Sequence, residues 1–225
     1  MTNKKRENWI SLTGCLAAVF YFLHIYFGQS AYPDYSWMRQ AVSDLTATGS
    51  PSYIVATRYS SLYGLFSCIS TLVLCIIVNG SLNRTMRIGI YLYAIMNLIS
   101  NVGYTLFPLS GSGYNGHFAD FMHAFVVTSG VVLLSIISLT FIGIGGFMKS
   151  GNKTIAIFGI ITLLSLFVGS IGMKIVPAAN FGIFERVCVF SVVIYTFMLG
   201  MFGFLIGSES PNTFSTNNRP NGRIV

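Results

Sequence analysis

An all-α, membrane-embedded bundle of six crossings is the fold this sequence predicts, and three observations predict it. Of 225 residues, 53% are hydrophobic and only 8% are charged, about a third of the charged share of an ordinary soluble domain. The apolar residues fall in continuous runs, each near the ~20 residues a helix needs to cross the hydrocarbon of a bilayer. The runs also lack the ~10-residue alternation that marks the strands of a transmembrane barrel.

Taken in order, the first run is 9–28. It follows the basic stretch KKR, and Tyr21, His24 and Tyr26 inside it suit a crossing better than a cleaved leader. The second, 54–79, starts after Gly49 and Pro51 have closed the preceding loop. The third, 87–107, carries Asn97, Asn101 and Tyr104 spaced four and three apart and so on one helix face. The fourth, 118–148, is longer than a crossing requires, so its first turns belong at or beyond the membrane surface. The fifth and sixth are 154–174 and 183–207. Together these make one helical domain, 1–207. The remaining tail, 208–225, is rich in Asn, Pro and Ser and is expected to be disordered.

Lys and Arg in short loops favour the cytoplasm. Lys4, Lys5, Arg6, Arg84, Arg87, Lys149, Lys153, Arg219 and Arg223 fall on one side of a six-crossing topology, against Arg39, Arg58, Lys174 and Arg186 on the other. Both termini are therefore expected in the cytoplasm of a cell that carries the chain as a multi-pass protein of its plasma membrane. The net charge of +7 then reports orientation and attraction to anionic lipid head groups, and no nucleic-acid partner is expected. Cys15, Cys68, Cys75 and Cys188 all lie inside apolar runs and read as packing residues, not as a disulfide framework.

The titratable residues are distributed unevenly. Asp34, Asp44, Asp120, Glu185 and all three histidines sit at the outer ends of the runs or in outer loops. The stretch GYNGHFADFMHAF places His117, Asp120 and His123 at three-residue spacing, which on a regular helix fans them over roughly one third of its circumference. Imidazole and carboxylate in such a fan suit zinc, with His24, His117 and His123 as the candidate metal ligands and water in an open position. Asp120 could equally fix the tautomer of one histidine and make it a general base. Asp44, in the long first outer loop, could complete the site. Asn101, Tyr104, Glu185 and Arg186 could line the same pocket, and Arg58 or Arg186 could hold a phosphate or carboxylate head group. Each signal also has a plainer reading: interfacial histidines, a capping Asp44, an ion pair of Glu185 with Arg186, and asparagines as interhelical hydrogen bonds.

SDLT in the first outer loop, FPLSGSG followed by GHFADFMHAF, and Glu185–Arg186 at the last run resemble the DUF998 family of bacterial and archaeal integral membrane proteins, over roughly residues 10–207. That resemblance implies a prokaryotic membrane protein without an assigned activity. A looser similarity is to membrane hydrolases of the alkaline ceramidase and progestin-receptor-like type, which hold zinc with Ser, Asp and three His. On that similarity Ser43, Asp44, His24, His117 and His123 would take such parts. Those proteins have seven helices and an HxxxH pair on the last, and this sequence has neither. The expected function is a lipid-directed hydrolase or transferase of the outer leaflet, with zinc as the candidate cofactor and Ser43, Asp44 and Asp120 as its catalytic groups. The alternatives are a binder or carrier of lipids without chemistry, and a structural or regulatory membrane subunit.

Overall fold

The computed structural model describes the backbone of residues 3–208 and the side-chain surroundings of residues 6–206. The tail expected to be disordered lies outside them, save for Ser208. The helices are α1 (Asn3–Ser11), α2 (Thr13–Ser30), α3 (Tyr53–Ile77), α4 (Arg84–Leu106), α5 (Phe118–Phe121), α6 (Thr128–Phe147), α7 (Lys153–Ile175) and α8 (Phe181–Ser208), with a π-helical turn, Met122–Val127, joining α5 to α6. Among the described residues there is no strand, only an isolated bridge between Gly111 and Gly113.

The starts of α4 and α7 follow from their sequences. Asn83 and Asn152 stand just before them with extended backbone, and each side-chain Oδ1 accepts from a backbone N–H in the first turn, Met86 and Ile155 respectively, both at 3.0 Å. An exposed helix end would otherwise leave those N–H groups without a partner.

Each long helix packs antiparallel on the next in the chain. Along α2 and α3, Phe27 stacks on Tyr59, Tyr21 meets Tyr63 and Phe20 stacks on Phe66, with ring centroids 5.0, 4.9 and 5.4 Å apart. Gly14, Tyr21 and Gly28 recur every seven residues and face Ser70, Tyr63 and Ala56, which recur at the same interval. That period keeps one seam in register between two helices. Between α4 and α6 the close approaches run from Met86 against Gly145, through Gly89 against Ile142, to Gly103 against Val127. Gly143 and Gly146 bring α6 to Ile160 and Ala156 of α7, and Gly159, Gly169 and Gly172 bring α7 to Tyr195, Cys188 and Phe184 of α8. Gly14 against Thr196 and Gly200 closes the ring from α2 to α8. Small residues at these crossings let backbones approach, which is how helices associate when the surroundings are as apolar as the side chains.

The core is the centre of this ring. Tyr93 of α4 donates across it to the Val192 carbonyl at 3.1 Å and shares a 2.9 Å hydrogen bond with Thr196, while its ring packs edge-on against Tyr195. Leu74, Met86, Ile90, Leu139, Ile142 and Leu199 complete it. Large apolar side chains cover the outside instead, among them Val19, Leu65, Leu133, Leu164 and Ile171, each more than half exposed. An apolar exterior around a core bridged by hydrogen bonds is the arrangement a lipid solvent requires.

Five helical segments are long and apolar enough to cross a membrane: Arg6–Ser30, Tyr53–Ile77, Phe118–Phe147, Lys153–Ile175 and Ala178–Ile206. The third run of the sequence, now α4, is not among them. It has the length, at 23 residues, but Arg84, Arg87, Asn97, Asn101 and three tyrosines dilute its apolar content. Six was the expected number of crossings, so the count that length and composition alone support is one lower.

Candidate functional site

Residues 31–52, 107–117 and 176–180 connect the helices at one end, called here the capped end; 78–83 and 148–152 connect them at the other. Most of the polar residues singled out in the sequence do meet at the capped end. They meet in order to hold the connections to one another.

Arg186, near the start of α8 and buried at 6% exposure, reaches into the first connection. Its Nη1 donates to the carbonyls of Trp37 (2.6 Å), Gln40 (3.0 Å) and Gly182 (2.9 Å), and its Nη2 donates to Tyr35 Oη at 2.7 Å. The Tyr35 hydroxyl in turn donates to the Ala41 carbonyl at 2.7 Å. Burial pushes the Tyr35 phenol up to about 12 despite the guanidinium beside it, so it keeps the proton this relay needs. Glu185 Oε2 accepts from Val42 N at 3.2 Å, and Gly182 N donates to the Met38 carbonyl at 2.8 Å. The start of the last helix is thereby fastened to the first loop.

Asp44, in the short 3₁₀ turn Ser43–Thr46 and 3% exposed, fastens that loop to the next. Its carboxylate accepts from Ser112 Oγ (2.7 Å), Gly113 N (3.2 Å) and its own-turn Ala41 N (3.2 Å). Two backbone bonds run beside it, Thr48 N to Leu109 O at 2.8 Å and Gly49 N to Ser110 O at 3.0 Å. Ser43 opens the turn half-buried, and its carbonyl accepts from Thr46 Oγ1.

Asp120 is fully buried and folds the second connection over the start of α5. It accepts from Ser110 N (2.7 Å), Ser110 Oγ (2.9 Å), Asn115 N (3.0 Å) and His117 N (3.4 Å). Gly113 and Gly116 adopt positive φ, 70° and 86°. Only glycine takes that backbone freely, and it is what turns these N–H groups inward onto the acids. His123 lies within electrostatic range of both Asp44 and Asp120. Its Nδ1 is 2.8 Å from the Phe107 carbonyl, and because a carbonyl only accepts, Nδ1 carries the proton and Nε2 is the free lone pair. Thr128 Oγ1 donates to the His123 carbonyl at 2.7 Å, which also accepts the Thr128 backbone N–H across the π turn, and shares a 3.1 Å hydrogen bond with Tyr104 Oη.

The expected metal triad is not assembled. His117 is the exposed residue preceding α5, with extended backbone, so it does not share a helix face with the others. His24 lies in α2 at 4% exposure, beside the Tyr21 ring, with neither ring nitrogen hydrogen-bonded. Among the described residues no three His, Cys, Asp or Glu side chains are grouped as a metal ion would need. Asn101, expected to line the pocket, donates to Ser67 Oγ, Cys68 Sγ and the Asn97 carbonyl and so stitches α4 to α3. Arg58 is exposed on α3, apart from the capped-end network. The residues that sequence reasoning overlooked are Tyr35, Ser110, Ser112, Asn115 and Thr128; in GSGYN the alternation of glycine with small donors was the available signal.

An all-helical bundle with an apolar exterior and several membrane-length helices defines a multi-pass integral membrane protein, here one whose connections at one end are knitted by buried acids. Its family follows from the sequence match: residues 15–201 fit the model of DUF998, described as a protein of unknown function, and the chain belongs to that family. No curated protein and no solved structure matches it.

Proposed function

We propose that the protein binds a lipid or small amphiphile from within the plasma membrane, with six crossings, both termini cytoplasmic and the capped end outside. The observation that carries the reading is a cavity of about 330 Å³ between α7 and α8, at the small end of the ligand-pocket range. Phe190, Ile194 and Ile161 give it apolar walls, with Thr162, Ser165 and Tyr195 among them. Ile161 and Ile194 are about half exposed on the lipid-facing flank, so an acyl chain enters sideways. The sixth crossing is α4: it follows α6 in register from Met86 to Gly103, and 23 residues span about 35 Å. The distribution of basic residues supports a capped end that faces outside.

Binding is preferred over lipid hydrolysis because Asp44 and Asp120 already accept hydrogen bonds from loop backbone and serine hydroxyls, which leaves them little capacity as bases or ligands. One observation favours a lipid-directed hydrolase as the second reading: His123 presents Nε2 as a lone pair oriented by the Phe107 carbonyl, the posture of a general base. Photolabelling of the protein in phospholipid vesicles with a diazirine fatty acid separates the two. Label is expected on residues 158–165 and 187–198 and is expected to drop several-fold in Ser165→Trp. Uniform label around the bundle, unchanged in that variant, defeats the binding reading. Release of free fatty acid from phospholipid, abolished in His123→Asn, moves the function to the second one.

A further inference from the structure

We propose that Arg58 is a second, separate lipid contact: a hook for the phosphate of a phospholipid in the leaflet at the capped end. Ile54, Arg58, Leu62 and Leu65 recur at four, four and three residues and form the exposed stripe of α3, with Ile54 64%, Leu62 36% and Leu65 54% exposed. The guanidinium therefore stands in the middle of a face that is otherwise apolar above and below it. Two other arginines have side-chain partners: Arg186 donates to three carbonyls and a phenol, and Arg87 donates to Asn79 Oδ1 at 3.0 Å. Among the described residues Arg58 has no such partner.

Its depth fits the task. Arg58 lies in the second turn from the capped end of α3, beside Tyr59, whose ring stacks on Phe27 of α2. Aromatic rings of this kind mark the level of the head groups. An unpaired guanidinium facing hydrocarbon is unfavourable, and a long side chain relieves this by extending toward the interface. The anion it meets there is a phosphodiester, and the planar fork of an arginine matches two phosphate oxygens at once, which a lysine ammonium does not. The stripe is on α3, whereas the cavity proposed above lies between α7 and α8, so either can fail without the other.

The test is native mass spectrometry of the full chain released from detergent micelles carrying dioleoyl phosphatidylglycerol or dioleoylglycerol, which differ in the phosphate head group. The wild type is expected to retain the phospholipid about tenfold more than the neutral lipid. Arg58→Gln should bring the two to near parity, Arg58→Lys should keep part of the preference, and Lys174→Gln, at the same end of the bundle, should keep all of it. Parity in the wild type, or an unchanged preference in Arg58→Gln, overturns the proposal. A lowered melting temperature in both Arg58 variants also overturns it, since that assigns the side chain a structural role.

Discussion

The carboxylate of Asp120 has about four lone-pair directions to offer, and four donors from Ser110, Asn115 and His117 take them. Replacing it with asparagine puts an NH₂ where donors already point, so that two donors face each other in a fully buried site. Asp120→Asn is expected to lower the melting temperature in detergent by several degrees; an unchanged melting curve would show that the acid does not hold the loop. At this scale the sequence told half of the story. That Asp44, Asp120, Glu185 and Arg186 belong together was legible from their common end of the chain topology. What they bind was not, because their partners are mostly backbone groups of residues 37–42 and 110–117, which carry no side-chain signature. The histidine fan failed for a related reason: His117 precedes the helix with extended backbone, and a π turn begins at Met122, so the regular period that would have aligned the three never applies.

Between elements, glycine decides which helices touch. A methyl group on Gly89 of α4 would lie 2.7 Å from the Ile142 backbone nitrogen and 2.8 Å from the Ser138 carbonyl oxygen of α6, whereas one on Gly130 would meet nothing within 4 Å. Gly89→Ala must therefore push the two helices apart, at about 1–3 kcal/mol. Gly130→Ala gains helix propensity with no clash and should be neutral or slightly stabilising. Thermal melts of the two variants side by side check this, and equal shifts would contradict the packing described for α4 and α6. The helices themselves were readable from their apolar runs to within a few residues. The exception is the fourth run, where a single helix was expected over 118–148 and the chain instead divides into α5, a π turn and α6, a change of winding that composition does not encode.

For the whole molecule, sequential antiparallel packing fixes which connections share a side. Single cysteines placed by Trp37→Cys, Tyr114→Cys and Lys174→Cys should react with a membrane-impermeant maleimide on intact cells, and Ser81→Cys and Ser150→Cys only after permeabilisation. Reaction of Trp37→Cys on one side and Tyr114→Cys on the other would remove α4 as a crossing. The native cysteines leave a low background, since Cys188 is buried and Cys15, Cys68 and Cys75 are part-buried within helices. Sequence reasoning counted α4 as a crossing from its apolar run, whereas Tyr93, which looks inward to α8, and Asn101, which bonds to α3, lower a hydropathy averaged over all faces.

Arg186 and Glu185 belong to the last helix, yet the backbone they hold, from Trp37 to Val42, follows the first. A ribosome delivers those partners some 150 residues apart, so residues 37–42 of a chain made only through α7 lack the anchors that α8 brings. Completion of α8 both shuts the ring and supplies the side chains that hold residues 37–42.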